Sequence, residues 1–473
     1  MASVNKKAKL ISGEQLIGDE QNERLTHEGA PASVIKPVEE LMRSVMSCLL
    51  WEDSFYEDGI AIADRVKELI GKVTQDEARQ ILIDAKFKSK LRHMPLYLLT
   101  LFAEKKWLKK EDVVKVCTRV DDMTELLSLY LKDGKKPLSH QLVKGLAMKI
   151  PDFNEYALAK YNRAKAVKLR DVFRIARPVP QNDAQSALYK HVVANTLAVP
   201  DTWETAISAC GNDNDKKAHE FTRLLTEKVL DGETGKEFNK LGDLAFLRNL
   251  RKMREVGVDE SIIRKSFDDR KWGWIIPYQF ISTAAHNPGL EDALEKAMLK
   301  SLDNEKPLND KIALLVDISG SMNSRISRKS DVMRYDAAAG LAVLLREICK
   351  DIKLYTFNEK LREIPPRRGF ALRDSISTNV GGGTKMWEAI RVAAKNRCNR
   401  VMIVITDEQT MDSGSYTDAN SDLLVIINVA SYQNGVGYEK GTVHINGWSD
   451  SVIDWLREYC TAEKYLNDEY EKI

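Results

Sequence analysis

The spacing of apolar residues changes character once along this 473-residue chain, near Pro307, and the change demands two architectures in series. Before it the spacing is helical. Val38, Leu41, Met42, Val45 and Leu49 fall three and four apart, which puts one apolar stripe on a helix. Ile62, Val66 and Ile70 repeat the spacing, and Thr74 with Glu77 has the form of a capping box opening the next helix. Amphipathic units follow at 94–107, 111–131, 140–149, 185–198 and 218–230. Alternation of period two is almost absent, and no repeat of fixed length recurs. Helices in series with short polar links predict an irregular, HEAT-like α-solenoid over residues 34–305, with a plain helical bundle as the alternative. Residues 1–33 are polar and mixed in charge, and are expected to be a flexible tail.

After Pro307 the apolar residues come in short unbroken runs. Residues 312–316, 353–357, 401–405 and 423–429 read as strands, three of them buried on both faces. Residues 337–349, 387–394 and 451–459 read as helices between and after them. Strands alternating with helices predict a doubly wound, mostly parallel sheet over 306–473.

No apolar run approaches the roughly 18 residues that would span a bilayer. No apolar segment at the N-terminus resembles a secretory signal. The six cysteines (Cys48, Cys117, Cys210, Cys349, Cys398, Cys460) include no CxxC pair, as expected of reduced thiols in a cytoplasmic protein. The chain is expected to be a monomer.

The first strand after Pro307 runs into Asp317-Ile318-Ser319-Gly320-Ser321. Gly381-Gly382-Gly383-Thr384 puts a hydroxyl in a glycine-rich loop before a helix. Thr406-Asp407-Glu408 closes a later strand. Three loops at strand ends, where open α/β sheets bind ligands, thus carry two carboxylates and three hydroxyls. Such a set suits one hard divalent cation, Mg²⁺ above all, leaving a position for an acidic group from a partner. Asp317, Ser319, Ser321, Thr384 and Asp407 resemble the five positions of the metal-ion-dependent adhesion site in von Willebrand A-type domains. The competing reading makes the serines helix caps, or leaves the site closed by local hydrogen bonds.

Catalytic patterns are missing. Gly383-Thr384-Lys385 has the wrong order for a phosphate loop, Ser319 sits in no G-x-S-x-G turn, and His219-Glu220 has no second histidine at metalloprotease spacing. The seven histidines form no cluster in sequence. The expectation is no catalytic residue and no enzyme.

Net charge is only +2, so any nucleic-acid surface must be local. It is found between Lys135 and Pro180. Eleven basic residues (Lys135, Lys136, Lys144, Lys149, Lys160, Arg163, Lys165, Lys168, Arg170, Arg174, Arg177) face three acidic ones there, an excess of eight. Arg170, Arg174 and Arg177 recur every three or four residues, as on one helical face. Lys135, Lys136, Lys160, Arg163, Lys165, Lys168, Arg170, Arg174 and Arg177 are the candidate RNA contacts, since Lys and Arg contacts to phosphate dominate nucleic-acid affinity. Tyr156 and Tyr161 are candidates for stacking on unpaired bases. The alternative is a solvated helix face.

The blocks around these residues resemble the TROVE module of Ro autoantigen proteins: 131–138 (LKDGKKPL), 143–147 (VKGLA), 155–163 and 167–172 (VKLRDV). So do 247–250 with Lys252-Met253, and Ile276-Pro277-Tyr278-Gln279. The α/β segment with Asp317, Ser319 and Ser321 completes the Ro order, and the resemblance covers residues 37–473. It implies a ring of HEAT-like helical repeats joined to a von Willebrand A-type domain. It further implies binding of small non-coding Y-type RNA and of misfolded RNA ends in RNA quality control, with a nuclease or other protein as partner and no membrane. Two departures mark a short, divergent relative of bacterial or phage-encoded kind. Residues 52–59 (EDSFYEDG) replace the family's glycine-rich segment, and Arg177 stands where a histidine often does. The competing functions are a metal-dependent protein-interaction module without RNA, and a metal-dependent enzyme. The second is disfavoured because nuclease sites cluster carboxylates around paired metals.

Overall fold

The computed structural model describes residues 24–46 and 59–457, apart from 133, 135–136, 163–164, 231–236, 274, 276, 304, 328–329, 366, 397–398, 431, 433, 448–451 and 454–455. Helices carry the chain from Pro37–Met46 to Glu291–Lys300, and their apolar stripes face inward. The Thr74 cap is present in full. Its hydroxyl accepts from the Glu77 amide, and the Glu77 carboxylate accepts from the Thr74 amide.

Two expected elements divide. The unit 111–131 is two helices, Lys110–Val116 and Val120–Leu131. The Asp122 carboxylate accepts from the Arg119 amide at 3.1 Å, so it starts a new helix where apolar spacing alone would continue the old one. The unit 218–230 ends its helix at Thr226 and passes into a short hairpin of β1 (Lys228–Leu230) and β2 (Glu237–Asn239).

The second half is built on six strands: β3 (Leu308–Asp317), β4 (Cys349–Phe357), β5 (Leu361–Glu363), β6 (Val401–Thr406), β7 (Leu423–Asn428) and β8 (Thr442–Asn446). Their order is β5-β4-β3-β6-β7-β8, parallel except for β5. The order reverses between β3 and β6. The loops leaving these two strands diverge there and leave a crevice at their carboxyl ends. β6 and β7 are buried along their whole length because helices cover both faces. Helices Arg334–Ile348 and Gly369–Ser377 pack on one face, and Met386–Asn396 on the other.

Apolar burial does not divide at residue 305. One core spans residues 41–192. Another begins at Phe221 in the helical half and runs without a break through the sheet to Leu456. Gly340 shows how close that junction is: a β-carbon there would lie 2.7 Å from Cβ of Tyr278, across the contact between helices Arg334–Ile348 and Pro277–Ala285.

Residues 24–33 fall in the segment expected to be a flexible tail, but they lie along the α/β domain. The Thr26 hydroxyl donates to the Thr410 carbonyl at 2.6 Å, the Ser33 amide to the Gly435 carbonyl at 2.9 Å, and Asn434 Nδ2 to the Leu25 carbonyl at 2.7 Å. Their backbone polar groups are satisfied by a distant domain, a cause that local composition does not register. Helix Pro37–Met46 follows and also rests on β8. Its Arg43, 1% exposed, pairs with Glu408 and donates to the Tyr438 hydroxyl and the Tyr432 carbonyl, both at 2.8 Å. The helical array therefore touches the α/β domain at both of its ends.

Candidate metal centre and nucleic-acid face

The crevice between β3 and β6 gathers the predicted metal residues. Asp317 ends β3 and is fully buried. Its Oδ1 accepts from the Ser319 amide at 2.8 Å and its Oδ2 from the Thr406 hydroxyl at 2.6 Å. The Ser319 and Ser321 hydroxyls lie 3.3 Å apart. The glycine loop is tied to them through backbone: the Gly381 amide donates to the Ile318 carbonyl at 2.8 Å, and the Gly320 amide to the Gly382 carbonyl at 2.9 Å. Gly381 and Gly382 hold φ of 141° and 81°, conformations that side chains resist, and this lets the loop close on its neighbour. The loop leads to Thr384, whose hydroxyl is buried beside the turn that follows β6 and carries Asp407.

The electrostatics suit a cation. Burial, and then repulsion from Asp407, push the Asp317 carboxyl well above the usual carboxylate range. Two buried carboxylates supply the negative charge that a divalent ion needs, and the hydroxyls of Ser319, Ser321 and Thr384 add neutral oxygen donors. Among the described residues no three His, Cys, Asp or Glu side chains converge on one point, so the donor set is hydroxyl-rich.

Five neighbours outside the predicted ligand set complete the surroundings. Thr406 fixes Asp317. Arg334, 1% exposed, reaches Asp407 Oδ2 and the Ser321 carbonyl, both at 3.4 Å. Glu408 is pushed up by burial, but the charges of Arg43 and His444 outweigh this and hold it below the usual carboxylate range. His444 Nδ1 lies 3.1 Å from Glu408 Oε1, and its ring stacks on Tyr438 at 3.8 Å. The fifth neighbour is Glu28, which accepts from the Thr384 amide at 2.7 Å and from the Thr384 hydroxyl at 3.1 Å.

The basic residues are arranged differently. Lys135, Lys136 and Arg163 lie outside the described residues. Arg170 and Arg174 are one turn apart on helix Leu169–Ala176. Arg177 is not on that helix. It is the C-cap, in a left-handed conformation with φ of 49°, and Pro178 after it has no amide with which to continue the helix. Lys168 caps the other end of the helix. Lys165, Lys168, Arg174 and Arg177 are exposed; Lys160 and Arg170 are half-buried. Lys165 pairs with Glu125 at 3.3 Å. Tyr156 is exposed with Lys160 5.9 Å from its ring centre, whereas Tyr161 packs on the core beneath Arg119.

A helical array joined to a mostly parallel α/β domain, with a ligand crevice at the reversal of strand order, is the class of protein that this fold defines. The Ro protein of Deinococcus radiodurans has this fold. The likeness covers 87% of this chain and 97% of that one, at a TM-score of 0.53 and 17% identity. In sequence, the chain is 23% identical over 258 residues to an RNA-binding protein RO60 of Caenorhabditis elegans. That match takes in 46% of this chain and spans 40% of the relative's length. Both findings support the resemblance to the Ro family. A structure of an aerotolerance-related membrane protein from Bacteroides fragilis covers 25% of this chain at a TM-score of 0.22, too slight a likeness to bear on the fold. No family model matches the chain. Among the described residues no helix is long and apolar enough to cross a membrane.

Proposed function

We propose that this chain is a Ro-like RNA-binding scaffold acting in RNA quality control, and that it is not an enzyme. The observation that carries this reading is the joint occurrence of a Ro-like fold along most of the chain and an excess of eight positive charges within residues 135–180. Exposed Lys168, Arg174 and Arg177 are suited to backbone phosphates, and exposed Tyr156 to a splayed base. The ligands are small non-coding RNA of Y type and the ends of structured or misfolded RNA. The architecture is read as a HEAT-like TROVE ring over 34–305 and a von Willebrand A-type domain over 306–473, working as a cytoplasmic monomer.

In this reading Asp317, Ser319, Ser321, Thr384 and Asp407 hold one divalent ion, Mg²⁺ by its hardness. When bound, the ion supplies an electron-poor position that takes a carboxylate from a nuclease or another protein partner. The chain's own residues do the rest. Thr406 orients Asp317, the glycine loop sets Thr384 against the serines, and Arg334 shares the charge of Asp407.

Sequencing the RNA that co-purifies with the protein tests the reading. Small structured RNAs should be enriched over fragments of messenger RNA, and the purified protein with Mg²⁺ should leave RNA intact. If no RNA is recovered while acidic peptides bind in a metal-dependent way, the chain is an adhesion-type module instead. RNA cleavage that disappears in Asp407→Ala would make it an enzyme.

A further inference from the structure

The segment 24–33 does more than join the domains, because it delivers a carboxylate to the metal residues. Residues 26–30 form a tight turn: the Thr26 amide donates to the Ala30 carbonyl at 2.8 Å, and the Gly29 amide to the Thr26 carbonyl at 3.1 Å, with Gly29 at φ of 91°. The turn is pinned at the two residues that precede Glu28. The Thr26 hydroxyl bonds the Thr410 carbonyl, and the His27 amide donates to Gln409 Oε1 at 2.8 Å. Glu28 stands near the tip, half-buried, with one oxygen on the amide and the other on the hydroxyl of Thr384. No lysine or arginine among the described residues pairs with it, and burial, with the charge of Asp407 added, raises its carboxyl above the usual range. A pinned carboxylate that feels the charge of Asp407, with only the hydroxyl and amide of Thr384 as donors, is an arrangement that a cation would relieve.

We propose that Glu28 is the chain's own acidic occupant of the metal site: its carboxylate takes the place beside Thr384 that a partner's carboxylate needs, so an external acidic group gains that place only by displacing the segment 24–33. The proposal rests on the reading of Asp317, Ser319, Ser321, Thr384 and Asp407 as metal ligands. It adds regulation to that site, since whatever loosens the segment exposes the metal to a partner. A glutamate placed near the N-terminus and a threonine some 350 residues later share one function through this contact.

Titration calorimetry with Mn²⁺ on the full chain, without and with acetate as the carboxylate probe, tests it. Wild type should bind Mn²⁺ with an affinity that acetate does not change. Glu28→Ala should bind about tenfold or more weakly, as is usual when a carboxylate that supports a metal site is lost. Millimolar acetate should restore its affinity. Glu28→Gln keeps the shape of the side chain and removes its charge, and it should behave like the alanine variant if charge is what the site uses. Equal Mn²⁺ affinity in wild type and both variants, or an equal acetate response in all three, overturns the role of Glu28 while leaving the metal site standing. Absence of Mn²⁺ binding by wild type overturns the metal reading, and this proposal with it. If melting curves show Glu28→Ala to be unfolded, the comparison of Glu28→Gln with wild type decides alone.

Discussion

The metal face and the basic stretch place their functional groups in opposite ways. On the metal face Glu28, Asp317, Thr384 and Asp407 come from distant parts of the chain, three of them fully buried, and hydrogen bonds fix each. On the basic stretch Lys165, Lys168, Arg174 and Arg177 are near neighbours in sequence and stand exposed around one short helix. A divalent ion such as Mg²⁺ demands oxygens within tenths of an ångström, so the residues that hold it must be rigidly placed. A phosphate backbone demands charge over a wide area and tolerates movement, because the gain comes from released counterions. The two regions are therefore expected to fail separately.

The largest effect tests that independence. Asp317→Ala should abolish divalent-ion binding in calorimetry while RNA affinity in filter binding stays close to wild type. A joint loss would mean that the two faces are coupled. The triple change Arg170→Ala, Arg174→Ala, Arg177→Ala should act in the reverse sense. RNA binding should fall by orders of magnitude at low salt, and the slope of log K against log salt should flatten by up to about three units, one per lost phosphate contact. Metal binding should not change. An unchanged slope would place any RNA contact elsewhere on the chain.

The smallest and most global effect is on the joint between the regions. Arg43→Ala leaves Glu408 buried without its guanidinium, which costs about 3–5 kcal/mol of stability. Thermal unfolding should fall accordingly. Arg43→Lys should recover only part of the loss, because the three donors of one ammonium cannot replace a planar fork that serves Glu408, Tyr438 and the carbonyls of Tyr432 and Asn434. A melting curve unaffected by Arg43→Ala would show that the contact between helix Pro37–Met46 and the α/β domain contributes nothing to holding the array.

Much of this was legible because it is local. Apolar runs at 312–316 and 401–405 mark strands buried on both sides, and the observed β3 and β6 contain them. Thr74 and Glu77 announce a helix start within four residues. The D-x-S-x-S run, the glycines before Thr384 and the Thr406-Asp407 pair each lie at a strand end or before a helix, where the sequence alone predicts ligands. What was not legible depends on side-chain capping, helix ends and contacts across the chain, none of which apolar spacing registers. Asp122 breaks a helix that apolar periodicity would have extended, Arg177 leaves the helix of Arg170 and Arg174 in a left-handed turn, and β8 is an edge strand that its own residues only weakly announce.

The sequence by itself determined the two architectures, the chemistry available at the strand ends and the concentration of positive charge, because periodicity, side-chain type and charge are properties of neighbours along the chain. Only the tertiary structure decided that the helical and α/β halves share one continuous core from Phe221 to Leu456, and that Arg43 is buried against Glu408. It also decided that Glu28 lies on Thr384. The physical reason is that desolvation and hydrogen bonding act through space. A polar residue near the chain start carries no mark of the partner, more than 350 residues away, that satisfies it.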